Sequence, residues 1–212
     1  MTETLYIFGA GGFGREIAWL AGDVRGSTTD VVFLVDDAQY LTGPVDDIEV
    51  RLVDDVEGPG EYVVAVGDAV LRRRAAAALD LRGLRATALV HPRTEHSSRV
   101  VFGPGSVVAV GTLMSTNIVL GAHVHLNSCT IGHDVVLGDF VTISPGVNVS
   151  GNVVIEQDAF IGTGANVIAG TPDRPLVIGA GAVVAAGATV IRAVEPGTLV
   201  AGVPAVPRTR RS

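Results

Sequence analysis

The sequence predicts an α/β domain joined to a β-solenoid: a small N-terminal Rossmann-like domain followed by a left-handed parallel β-helix. Three observations carry this. An apolar run ends in a glycine-rich turn that opens a helix, a six-residue period takes over from Val101, and charge is uneven, with a net −8 over residues 1–83 and +1 over the remainder. The predicted boundaries are 1–84 for the first domain, 85–100 for a linker, 101–205 for the solenoid and 206–212 for a tail. With 212 residues, 48% hydrophobic and 17% charged, the chain can bury two cores and is too apolar to stay unfolded.

The composition excludes several chemistries. All fifteen cations are Arg, so a Schiff-base lysine and a Walker-A loop are ruled out. The single Cys129 can form neither an internal disulfide nor a CxxC zinc knuckle. A net charge of −7 and a pI near 5.1 speak against nucleic acid as a partner. The longest uncharged apolar stretch, Leu176 to Ile191, is broken by glycines and is shorter than the roughly 20 residues of a bilayer helix, so no membrane span is expected. Glu3 stands where a signal peptide would carry positive charge, which predicts a cytoplasmic protein, and the acidic balance points to a small-molecule ligand.

In the first domain, Leu5-Tyr6-Ile7-Phe8 reads as a strand, Gly9-Ala10-Gly11-Gly12-Phe13-Gly14 as a tight turn, and Arg15 to Leu20 as a helix. The glycines let the backbone approach a ligand, and the helix N-terminus offers free N–H groups to a phosphate. A second strand, Val31 to Val35, ends at Asp36, 22 residues after Gly14, where such folds place the acid that bonds a ribose. A third, Tyr62 to Val66, runs into Gly67-Asp68 and a helix bearing Arg72, Arg73 and Arg74, which present either a solvated face or phosphate contacts. A segment this short holds only half of a dinucleotide fold, so a mononucleotide-linked ligand is favoured over NAD.

From Val101 every sixth residue to Val167 is aliphatic, except His125, and small or β-branched residues such as Cys129, Val135 and Val141 follow four places later. A helix cannot generate that period. Three hexads per coil, one aliphatic side chain of each pointing inward, predict about five coils, with an interruption at Thr171 to Arg174. Stacking of positions three hexads apart would align Ser115, His133, Gly151 and Ala169, and beside them Thr116, Asp134, Asn152 and Gly170.

Of five histidines, His91 and His96 read as surface residues, His125 as an inward packing residue and His123 as occupying a small-residue position. His133 lies outside the aliphatic register with a carboxylate next to it, the arrangement of a general base. A zinc site with three histidines is the rival, but Asn127 and Ala122 stand at two of the ligand positions, and zinc prefers imidazole or thiolate, so no metal is expected.

Phe8 to Glu16, Val66-Gly67-Asp68, Ile131-Gly132-His133-Asp134, Leu137 to Phe140, Ser150 to Val153 and Ala201 to Ala205 together resemble the bacterial hexapeptide-repeat sugar acetyltransferases, in order and over nearly the whole chain. That resemblance implies a homotrimer with active sites between neighbouring β-helices. It implies a nucleotide-linked amino sugar held by Gly9, Ala10, Gly11, Gly12, Phe13, Gly14, Asp36, Asp37, Val66, Gly67 and Asp68, with Asn127 near the acceptor. His133 would be the base, its basicity raised by Asp134. Acetyl-CoA, as co-substrate, would run past Gly151, Thr163 and Ala185. Two positions depart from the family: Thr142 replaces a histidine near the thioester, and Asp68 an asparagine. The expected activity is acetyl transfer to a sugar amine, with transfer to a sugar hydroxyl or a non-catalytic nucleotide-sugar scaffold as alternatives.

Overall fold

The computed structural model describes residues 4–26 and 29–209, and the chain divides into two compact units after Pro92. In the first unit β1 (Leu5–Phe8) lies at the centre of a parallel sheet with β2 (Val31–Val35), β3 (Val50–Leu52), β4 (Glu61–Val64) and β5 (Arg85–Ala86), in the order β3-β2-β1-β4-β5. β1, β2 and β4 are apolar on both faces, as a parallel sheet covered on both sides requires, and Leu5, Ile7, Phe33, Leu34, Val63 and Val64 are fully buried. Two helices, α1 (Gly12–Arg25) and α2 (Ala69–Leu81), pack on this sheet through Ile17, Leu20 and Ala21, and through Ala75, Ala76 and Leu79.

The linker expected over 85–100 is not a linker. Arg85–Ala86 closes the edge of the first sheet, while Glu95–His96 pairs in register with Leu113–Met114, and Val100–Val101 with Ile118 and Val119, in the coil above. The expected tail is also structured at its start: Val206–Arg208 pairs antiparallel with Leu199–Ala201. Residues 210–212 of that tail lie outside the described residues.

The second unit is built of many short parallel strands in three sheets, consistent with a left-handed β-helix. Each coil contributes one strand to each sheet. Alternation within a strand sends two residues of each hexad inward, for example Cys129 and Ile131, Val135 and Leu137, and Val141 and Ile143, all at most 3% exposed. Each buried aliphatic side chain contributes about 1.5–3 kcal/mol.

The hexad register runs unbroken only from Ile131 to Val167. Thr130 pairs with Asn148, a full three hexads on, but Leu113 pairs with Thr130, one position short of that spacing. The slip falls at the turn Asn127-Ser128, so below it the inward positions are Val108, Met114, Leu120, Val124 and Leu126. Val101, Leu113 and Val119, expected inside, are 57%, 43% and 43% exposed. Higher up, Asn166 pairs with Thr189, well beyond three hexads, because segment 171–175 bulges from the coil between Gly170 and Leu176, whose N–H groups bond Gly151 and Asn152.

Candidate active site

His133 sits on the prism edge between the strands Thr130–Ile131 and Val135–Leu137. Its side chain is 56% exposed, and its Nδ1 lies 2.8 Å from Oδ2 of Asp134. With that nitrogen donating to the carboxylate, Nε2 carries the lone pair. Hydrogen bonds from His133 and then from Asn117 hold the Asp134 carboxyl below its ordinary range. The ring rests on Gly151: a Cβ there would stand 2.5 Å from Nε2 and 2.9 Å from Cδ2.

The short turn changes the column beneath this pair. The backbone N–H of Asp134 bonds the carbonyl of Thr116, so Thr116 rather than Ser115 lies below His133, and Asn117 rather than Thr116 lies below Asp134. Asn117, Asp134 and Asn152 stack at this edge with φ of 54°, 57° and 55°, a left-handed turn that Asn and Asp tolerate best. Asn117 donates from Nδ2 to Oδ1 of Asp134 at 3.0 Å. Sequence reasoning missed this residue, and the only signal of it was the shortened spacing between Leu126 and Cys129.

The remaining β-helix candidates stand on a different edge. Asn127, Ser144, Gly162 and Ala185 follow the paired positions Leu126, Ile143, Ile161 and Val184 and so stack together, with Thr163 beside them. Thr163 is exposed and Ala185 half-buried, whereas Thr142 is buried, paired with His125 one rung below. Asn127 bonds the carbonyl of Ile143 through its amide side chain at 3.3 Å. Gly151 belongs with His133, not with Thr163 and Ala185.

In the first unit, Gly9, Ala10, Gly11 and Asp36 line a cleft of about 380 Å³ together with Phe8, Tyr40 and Thr42. The N-terminus of α1 carries no side-chain cap and no acid in its first turn. Gly14 is a packing requirement, because a Cβ there would run into the carbonyl of Gly9. Asp37 is occupied locally, its two oxygens accepting from Gln39 N and Nε2. Asp68 caps α2, accepting from Leu71 N at 2.9 Å, a role that asparagine fills equally well. Val66 lines a second cleft of about 490 Å³ with Asp36, Tyr40, Leu71 and Arg74. Tyr40, which borders both clefts, was not anticipated.

Arg72 is neither a solvated face nor a phosphate ligand: it is fully buried, and its Nη1 donates to the carbonyls of Val66 (2.8 Å) and Gly67 (3.3 Å). His91, expected at the surface, is 4% exposed and lies 3.1 Å from Asp23. His125 is buried but does not point inward, since Val124 and Leu126 on either side of it do. His123 is buried and stacks on Phe140, centroids 4.9 Å apart. Among the described residues no three His, Cys, Asp or Glu side chains are grouped to hold a metal ion.

Comparison with known proteins bears on this arrangement. The family described as the PglD N-terminal domain matches residues 4–79. The GDP-perosamine N-acetyltransferase of Escherichia coli O157:H7 is 36% identical over 185 residues, 82% of each chain. WeeI from Acinetobacter baumannii AYE superposes with a TM-score of 0.91 at 32% identity, covering 98% of this chain and 100% of the other. The acetyltransferase domain of PglB from Neisseria gonorrhoeae FA1090, solved with acetyl coenzyme A, gives 0.88 at 31% identity, with the same coverage. A histidine-to-asparagine mutant of perosamine N-acetyltransferase from Caulobacter crescentus, solved with CoA and GDP-perosamine, gives 0.86 at 25% identity, covering 98% and 97%.

Proposed function

The chain belongs to the hexapeptide-repeat sugar N-acetyltransferase family, and from that premise we propose that it transfers the acetyl group of acetyl-CoA to the amino group of a nucleotide-linked amino sugar, with His133 as general base. One observation carries the assignment of the base: Asp134 takes Nδ1 while Gly151 leaves room for an exposed ring whose Nε2 is left to accept a proton. The neutral amine nitrogen attacks the thioester carbonyl, and Nε2 accepts the amine proton as the C–N bond forms. The C–S bond then breaks, and the proton passes to the departing thiolate, leaving CoA as the free thiol. Proton transfer of this kind contributes about 10²–10⁴ in rate.

The acceptor we assign is GDP-perosamine, the substrate named for the E. coli relative. Its phosphates fit the uncapped N-terminus of α1 behind Gly9, Ala10 and Gly11, with Asp36 on the ribose. Asp37 and Asp68, already engaged as caps, hold the loops rather than the ligand.

His133 and the small-residue ledge of Thr163 and Ala185 stand on separate edges of one prism, with the strand Thr130–Ile131 between them. We therefore place the thioester where the His133 edge of one copy meets the ledge of the next, three copies closing a ring. The exposed valines Val101, Val119 and Val136, stacked on the sheet next to His133, offer apolar surface for that contact. The cytoplasm, where both substrates occur, is its place of action, and no helix among the described residues is long and apolar enough to cross a membrane.

The test is direct. Incubation with acetyl-CoA and GDP-perosamine should release one thiol per sugar and add one acetyl group that survives alkaline hydroxylamine. A hydroxylamine-labile product would reassign the acceptor atom to oxygen, and no product with bound CoA would leave only a scaffold. Light scattering should return three times the chain mass.

A further inference from the structure

We propose that Asn117 is a positioning residue for the His133–Asp134 pair, brought there by the coil that is one residue short. The inference rests on the proposed function of His133 and adds a third member to its hydrogen-bond chain.

Asp134 is exposed at a turn and has two oxygens free to rotate about χ2. Oδ2 faces Nδ1 of His133 at 2.8 Å, and Oδ1 receives the amide of Asn117 at 3.0 Å. Two donors on opposite oxygens fix the plane of the carboxylate, and with it the tilt and tautomer of the imidazole. The Asp134 carboxyl is correspondingly held below its usual range by both bonds. Without Asn117 the carboxylate would be anchored through one oxygen alone, while water competed for the other.

The placement depends on the Asn127-Ser128 turn. In a coil of three full hexads the residue beneath Asp134 would be Thr116, whose hydroxyl is too short to reach across a rung of about 4.8 Å with the same geometry. The shortened coil substitutes Asn117, with both residues in the left-handed conformation and their side chains projecting from the same edge. Asn152, one coil above, has the same conformation and bonds the carbonyl of His133 through its backbone N–H at 3.0 Å, so the edge is held from both sides.

The test uses the full-length protein. Asn117→Gly keeps the left-handed turn without strain and removes the amide; Asn117→Asp keeps the shape and turns the donor into an acceptor facing a carboxylate. Both should lower kcat about 3- to 30-fold while the KM values for acetyl-CoA and the sugar nucleotide stay within twofold. Placed on Asp134→Asn, Asn117→Gly should cost no further activity, because Asn117 acts only through that carboxylate. An undiminished kcat in both variants, or an equal loss in the Asp134→Asn background, overturns the proposal. A second readout does not need turnover: side-chain nitrogen NMR, with His133 assigned by its loss in His133→Ala, should show a fixed Nδ1–H tautomer in the parent protein and mixed tautomers in Asn117→Gly. If His133→Ala remains fully active while the tautomer still shifts, the catalytic reading fails and the positioning role stands. If the tautomer does not move, the positioning role itself is wrong.

Discussion

The imidazole of His133 lies against the backbone of Gly151, one coil above it in the stack, so closely that a single methyl there would stand 2.5 Å from Nε2. A buried glycine so placed is a constraint on the site and not on the backbone, since φ at Gly151 is outside the left-handed region. Gly151→Ala should therefore fold with a near-normal Tm while kcat falls at least tenfold, because the ring must rotate away from its carboxylate. Steady-state kinetics beside a melting curve checks this; normal turnover in the variant would show that the ring does not work in this pose.

His133→Ala removes the base but leaves both substrate sites intact. The expected loss is about 10²–10⁴ in kcat, with sugar-nucleotide affinity by calorimetry unchanged. Weakened binding with preserved kcat would instead make the ring a substrate anchor.

Asp134 predicts a pH dependence of stability. Its carboxyl is lowered in the folded state, so the stabilisation it provides is present above the unfolded carboxyl value near 3.9 and is lost as pH falls through the lower folded value. The Tm gap between the parent protein and Asp134→Asn should be small, persist from pH 8 to pH 5, and close only below about pH 4. A gap that opens in acid instead would reverse the sign of the interaction.

Much of the architecture was legible because it rests on local patterns. Val31–Val35 is bounded by the apolar run itself, and no helix can imitate a six-residue period. The slip at Asn127-Ser128 was hidden for a physical reason: before it, both the expected and the true inward positions are apolar, as with Leu113 beside Met114 and Val119 beside Leu120. Either register fits the sequence, and only strand pairing distinguishes them. His91 and Arg72 were misplaced because their partners, Asp23 and the carbonyls of Val66 and Gly67, arise from tertiary packing that carries no period. His133 and Asp134 stood out because they break the pattern around them.

Cys129 gives a check that needs no substrate. It is buried between coils, and burial pushes its thiol up to about 12, so it is almost wholly protonated at pH 8. The folded protein should not react with a disulfide reagent over an hour, and should react with one equivalent in denaturant. Rapid labelling of the native state would mean that this part of the prism opens.

Arg72 joins the stability of the first unit to its ligand loop. Its guanidinium is fully buried beneath the turn after β4, where Nη1 holds the carbonyls of Val66 and Gly67, and Asp68 immediately caps α2. Removing the donor leaves the Val66 and Gly67 carbonyls without the guanidinium and takes away a buried charge-assisted anchor of the turn, while substituting Met retains the volume. Arg72→Met should therefore cost about 2–4 kcal/mol of unfolding free energy. Because Val66 lines the cleft shared with Asp36 and Tyr40, the same change should weaken GDP binding several-fold more than it weakens CoA binding. Denaturant melts and paired calorimetric titrations measure both. Equal weakening of the two ligands would mean that the loss is global instability and that the turn is not tied to the nucleotide.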